Sequence, residues 1–212
     1  MLALLAGRPS FTNASHPPRG ISDSFIAFQV ARNIDDVDSI ISDAPSPDRE
    51  VMRIKLYENF AFSVCYAALY VAIGLAARGR AAGFKWSVPL ALAVLLAAIA
   101  AAGFDIRSSV EMLRLVDVSL NHTGQTAIDS IRFASLMKWA LATLAIVLVA
   151  PFFLISRKWM TRVAGWMNVA AAAAGVVGFF DNAWFVWAIG LMAAALLADA
   201  VTLRFVRYEP AS

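Results

Sequence analysis

The chain has 212 residues, 60% of them hydrophobic and 16% charged, against roughly 25% charged in ordinary soluble domains. With a mean hydropathy of +0.68, this composition excludes a water-soluble globular domain. The net charge of +3 is carried largely in short segments between apolar runs, a distribution that fits a membrane and not nucleic acid. Cys65 is the only cysteine, so an intrachain disulfide and a CxxC pair are both excluded. Two histidines, His16 and His122, leave no polyhistidine metal site.

The opening "MLALLAGRPS" has no basic flank and is too short for a signal-peptide core. Residues 1–24 read as a flexible tail, with Gly, Pro, Ser and Asn concentrated from residue 7 onward. Within 25–57, "NIDDVDSII" sets Asn33 ahead of three acids and places Ile34, Val37, Ile40 and Ile41 on one face. This predicts a short amphipathic helix on the bundle or the membrane surface. "APSPDRE" breaks it at Pro45 and Pro47, with Ser46 or Asp48 placed to cap a second helix that runs on into the membrane.

From residue 58 to 205 the chain predicts an all-α membrane helix bundle of about five transmembrane helices, followed by a tail over 206–212. The spans fall at 59–77, 87–105, 133–155, 162–180 and 183–203. "TAID" at 126–129 suits a capping box, so the third helix is expected to begin well before its span. The last two spans are separated only by Asp181-Asn182; one straight helix through both would be about 60 Å long, twice the hydrocarbon thickness, so a tight hairpin is expected there. The alternative is a four-span chain with one half re-entrant. Ala170 to Ala174, Gly175 and Gly178 supply small residues for close packing of the fourth span.

Five alternating spans put the 78–86 and 156–161 loops and the C-terminus on one side, with Arg78, Arg80, Lys85, Arg157, Lys158, Arg204 and Arg207 against Glu209. The other side is mixed: the first 57 residues hold six basic and seven acidic side chains, and the 106–132 loop has three of each. Basic loops stay inside, giving an external N-terminus and a cytoplasmic C-terminus in a plasma (inner) membrane. Trp86 and Trp159 near one boundary, and Trp139, Trp184 and Trp187 near the other, read as aromatic belts.

The same register brings the polar span ends to one face. Glu58 and Asn59 open the first span, Asp105 closes the second, Arg132 and Lys138 open the third, and Asp181 and Asn182 join the last two. Beyond Asp105, a continuing helix would align Arg107, Glu111 and Arg114 as a self-paired stripe. These residues form a polar mouth, read first as ion pairs and anchors and second as a site for a ligand, proton or partner. Lys138 is expected to pair with Asp105, Glu58 or both, because its depth disfavours a free ammonium. Cys65, Tyr66 and Tyr70 read as packing residues, and Asp199 as a local partner of Arg204. The sequons at 13–15 and 121–123 are set aside because the Ala- and Arg-rich usage looks bacterial.

"FQVARNIDDVDSII", "LYENFAF", "AAGFD" and "IRFASLMKW" give residues 25–155 a resemblance to a group of small bacterial multi-pass integral membrane proteins. The resemblance implies Glu58, Asp105, Arg132 and Lys138 as characteristic polar positions and supplies no activity. Where it implies a Glu-Asn pair after the aspartate, this chain has Ser108-Ser109. No nucleotide loop, Ser-His-Asp set or HExxH motif is present. No cofactor is expected, and the expected partners are the lipid bilayer and a membrane protein or lipid-like ligand at the mouth. A non-enzymatic binding role is therefore preferred, an ion-coupled carrier is the alternative, and an intramembrane enzyme comes third. Reporter fusions after residues 82, 120, 159 and 212 test the orientation: cytoplasmic signals are expected at 82, 159 and 212, and one at 120 reverses it.

Overall fold

The computed structural model describes residues 11, 21, 23–43, 46–81 and 83–205. Most of the N-terminal tail, the sequon at 13–15, Pro45 and the 206–212 tail lie outside the described residues. The fold is all-α. Its helices are α1 (Ser24–Gln29), α2 (Ile34–Ile41), α3 (Pro47–Arg80), α4 (Ser87–Asp117), α5 (Gln125–Leu154), α6 (Trp159–Phe180) and α7 (Asn182–Phe205), with a short 3-10 turn at Leu120–His122. Five of them, α3 to α7, are long and apolar enough to cross a membrane.

The chain forms two compact units. The first comprises the described residues up to Phe62 together with Asp105–Leu136. The second comprises Ser63–Phe104 and the described residues from Met137 onward.

In the first unit, local chemistry sets the helix boundaries. Asp23 caps α1 by accepting from the Ile26 amide at 3.0 Å, a helix that was not expected ahead of Asn33. Asn33 caps α2 by accepting from the Asp36 amide at 2.8 Å, while Asp35 and Asp36 occupy the positive end. Ser42 then turns the chain at a φ of 53°. At the start of α3, Ser46 Oγ accepts from the Asp48 amide at 3.2 Å and Pro47 takes a first-turn position where no amide hydrogen is needed. The core joins Phe28, Val37, Ile40 and Ile41 to Met52 and Leu56 of α3, Met112, Leu115 and Val116 of α4, and Ile128 and Ile131 of α5. The amphipathic helix α2 thus spends its apolar face on protein.

Two expectations change here. The 106–132 segment is mostly helix, because α4 continues to Asp117 and the amphipathic spacing of Met112, Leu115 and Val116 gives that extension a core to face. The third long helix starts at Gln125 with the Ala127 amide bonded to the Gly124 carbonyl, so Thr126 sits inside the first turn and does not cap it.

In the second unit α4 turns small residues inward and large ones outward. On α4, Ala91, Val94, Ala97, Ala98 and Ala101 are buried, whereas Leu92, Leu96 and Ile99 are exposed. In water that outer face would be a liability; against lipid it is the expected surface, and small inner residues let helices approach. Trp86, Trp159, Trp184 and Trp187 are exposed as well. Trp139 departs from the belt reading: its ring lies edge-on to Phe185 at 5.3 Å and is only part exposed. Cys65 departs from the packing reading and is exposed, while Tyr70 is buried.

Helices α6 and α7 form the expected hairpin, interrupted at Asp181, whose amide bonds the Val177 carbonyl at 2.9 Å. Glycine makes the pair close: a Cβ on Gly178 would lie 3.1 Å from Phe185 Cα, and one on Gly175 would lie 2.7 Å from Met192 Cε and 2.8 Å from Thr143 Oγ1. Around Gly190 a Cβ meets nothing within 4 Å. Gly178→Val is therefore expected to lower the thermal midpoint in detergent, at the order of 1–3 kcal/mol for overpacking, while Gly190→Ala leaves it unchanged or raised; equal midpoints would remove the steric account.

Candidate functional site

On α3 the buried positions Arg49, Met52, Leu56, Asn59 and Ser63 recur every three or four residues, so one face carries both the core and its polar side chains. Asn59 donates both amide hydrogens from that face to α4, to Asp105 Oδ1 at 2.9 Å and to Ser109 Oγ at 3.0 Å. Ser108 Oγ donates to the Asp105 carbonyl at 2.9 Å. All four residues are buried, Asp105 to 1% exposure. A carboxylate removed from water needs hydrogen bonds, and the Asn59 amide and its surroundings supply them. Ser108 and Ser109 both belong to the network, and its amide arrives from α3.

A second polar device closes the same unit. The α4 C-terminus leaves carbonyls without intrahelical donors, and Arg49, 6% exposed, reaches them. Its Nη1 donates to the Val116 and Val118 carbonyls, each at 2.8 Å, and its Nε donates to the Ser42 carbonyl at 3.0 Å. Asp43 lies 3.7 Å from its Nη2. One cation thus ties the end of α2 and the start of α3 to the end of α4. One turn along α3, Arg53 donates to Asp117 Oδ1 at 2.7 Å and also pairs with Glu50; the Asp117 hydrogen bond raises the Arg53 pKa above its ordinary value. Neither arginine stood out in the sequence, where both lay in the helix expected to run on into the first span.

The expected polar residues divide between the units. Asn59 and Asp105 are brought together. Glu111, half-buried, accepts from Arg107 Nε at 3.1 Å, and Arg107 also donates to Ser130 Oγ at 3.1 Å. The expected stripe is therefore present as one i, i+4 pair with a crosslink to α5, and Arg114 is exposed. Arg132 is half-buried and Glu58 is exposed; one residue from Asn59, Glu58 points about 100° away around the helix. In the second unit, Lys138 is 4% exposed with its Nζ 4.5 Å from the centroid of its neighbour Trp139. Asp181 is exposed at the hairpin turn and Asn182 begins α7.

The second unit also holds a polar pair that the sequence reading missed. Asp199 is 0% exposed and accepts from Asn168 Nδ2 of α6 at 2.8 Å. The expected Arg204 partner is exposed and lies five residues on, about 140° around the helix. Asp199 therefore faces the core and Arg204 the surface. Asn168, a single polar letter in an Ala-rich run, gave no signal until α6 and α7 were seen packed. Arg80 caps the end of α7 by donating to the Thr202 and Leu203 carbonyls.

Among the described residues, no three His, Cys, Asp or Glu side chains are grouped to hold a metal. The arrangement is suited to holding helices and presenting a shaped end, and Arg49 serves three carbonyls within it. Arg49→Met is expected to destabilise the detergent-solubilised protein by about 1–3 kcal/mol for each buried carbonyl left unsatisfied, whereas Arg53→Met, which breaks part-exposed ion pairs, should cost less than about 1 kcal/mol; equal losses in thermal or denaturant unfolding would contradict the assignment. The chain matches no family model, no curated protein and no solved structure.

Proposed function

We propose that this multi-pass membrane protein is a non-enzymatic binder that takes a membrane partner or a small amphiphile at the polar end of its first unit. The observation that carries this reading is the exposed face of α3. Ile54, Tyr57 and Phe62 are exposed there around the equally exposed Glu58, and they occupy one arc of the helix. A carboxylate set in an apolar stripe at a span end matches a ligand that is itself part charged and part apolar. Directly behind it, Asn59 spends both amide hydrogens on Asp105 and Ser109, which supports a rigid platform in place of an acid–base pair. Arg107 and Glu111 on α4 and Arg132 on α5 complete the polar residues of this end.

The basic loops 78–86 and 156–161 support a cytoplasmic C-terminus and an external N-terminus. The resemblance to small bacterial membrane proteins supports a bacterial plasma membrane. An ion-coupled carrier is the second reading, favoured by the carboxyl group of Asp199 inside the apolar α7.

Native mass spectrometry of the protein released from mild detergent tests the binding reading. The wild type is expected to carry a discrete bound lipid, amphiphile or protein. Its occupancy is expected to fall several-fold in Glu58→Gln and in Tyr57→Ala while Leu92→Ala, on the lipid face of the second unit, retains it. A wild type without adducts, or equal occupancy in all variants, overturns the proposal.

A further inference from the structure

Asp199 and Asn168 leave two acceptors stranded. Asn168 Nδ2 donates one hydrogen to the Ala164 carbonyl at 3.0 Å, one turn back on α6, and the other to Asp199 Oδ1 at 2.8 Å. The Ala164 bond fixes which end of the amide is nitrogen. That leaves Asn168 Oδ1 and Asp199 Oδ2, both buried and both without a hydrogen-bond partner. Both residues are 0% exposed, and the surrounding core is apolar, with Ala164, Ala171, Ala195 and Leu196. With the carboxyl ionised, both orphan oxygens are buried acceptors to which no donor is bonded, a costly arrangement in hydrocarbon.

We infer that Asp199 and Asn168 form an intramembrane proton-binding site, in which Asp199 carries a proton on Oδ2 and donates it to Asn168 Oδ1. A carboxylic acid and a primary amide are complementary in this way: acid O–H to amide oxygen, amide N–H to acid carbonyl, two hydrogen bonds in one ring. One proton satisfies both stranded oxygens and removes the buried charge. The proton comes from solvent and returns to it, and no other bond changes.

The charged groups around the pair are consistent with a proton as occupant. Tyr70 of α3, 3% exposed, is the titratable side chain within electrostatic range of Asp199 among the described residues. Arg80 of α3 is engaged with the Thr202 and Leu203 carbonyls. No titratable group of α4 or α5 acts on Asp199 among the described residues. A small cleft lined by Arg80, Thr161 and Thr202 reaches α7 one turn beyond Asp199, and Thr161 Oγ1 there is buried without a hydrogen-bond partner. The rest of its lining is apolar, from Ala77, Phe152, Phe153 and Leu203, so the cleft ends one turn from the pair without reaching it.

Infrared difference spectroscopy of the full chain in nanodiscs tests the site. At neutral pH the wild type is expected to show a carboxylic-acid carbonyl band that shifts with isotope-labelled aspartate, moves in Asn168→Ala and is absent in Asp199→Asn. Asp199→Asn preserves both hydrogen bonds as an amide–amide ring, so its fold and thermal midpoint should be kept; should it not fold, the labelled wild type and Asn168→Ala still decide. An acid band indifferent to Asn168→Ala, or a spectrum with only carboxylate bands at neutral pH, overturns the proposal. Acid bands that disappear when sodium or potassium is added at neutral pH overturn it too, in favour of a monovalent cation as the occupant.

Discussion

Hydrocarbon offers no hydrogen bonds, and that one constraint accounts for most of what this chain does with its side chains. Backbone groups are satisfied within helices because nothing outside can satisfy them. Large apolar residues such as Leu92, Leu96 and Ile99 face outward, where lipid accepts them, and Ala and Gly line the contacts. Polar side chains that turn inward are then committed to each other. Beyond the spans, burial in protein imposes the same accounting at a helix end: the carbonyls that α4 cannot satisfy itself are met by the guanidinium of Arg49, whose planar fork can serve several acceptors at once.

The two units solve the problem of a buried carboxyl with the same neutral donor. Asn59 bonds Asp105 at 2.9 Å and Asn168 bonds Asp199 at 2.8 Å, each across a helix pair. An amide brings hydrogen-bond donors without a charge of its own, so its own desolvation is cheaper than that of a Lys or Arg. The settings differ in consequence. Asp105 sits among Asn59, Ser108 and Ser109, a polar neighbourhood at the end of a span. Asp199 has alanines around it and an amide oxygen stranded beside it.

The sequence showed the architecture more clearly than the chemistry. The number of long apolar helices, the hairpin and the amphipathic α2 follow from hydropathy length and period, which are local properties. The polar network was legible only where charge marked it: Asp105 stood out, and Asn59 was found because it follows Glu58 at a span end. Asn168 and Arg49 escaped because their roles depend on which helix faces which, information that no window along the chain contains. Asp199 was noticed and given the wrong neighbour, since proximity in sequence favoured Arg204 while the helix turned the two to different faces. Residues 106–117 were named as part of an interspan loop with a continuing helix weighed from the charge spacing alone; the apolar period of Met112, Leu115 and Val116, which gives that helix its core, went unused.

The connection between α6 and α7 also bears on how the chain is made. Only Asp181 separates Phe180 from Asn182, so there is no slack for the earlier helix to settle in lipid while the later one is still being synthesised. A bend this short suits insertion of the two as one hairpin, with the carboxyl group of Asp181 as the ionisable group at the turn. Inserted that way, the pair would meet the fit at Gly178 while it is being made as well as in the finished bundle.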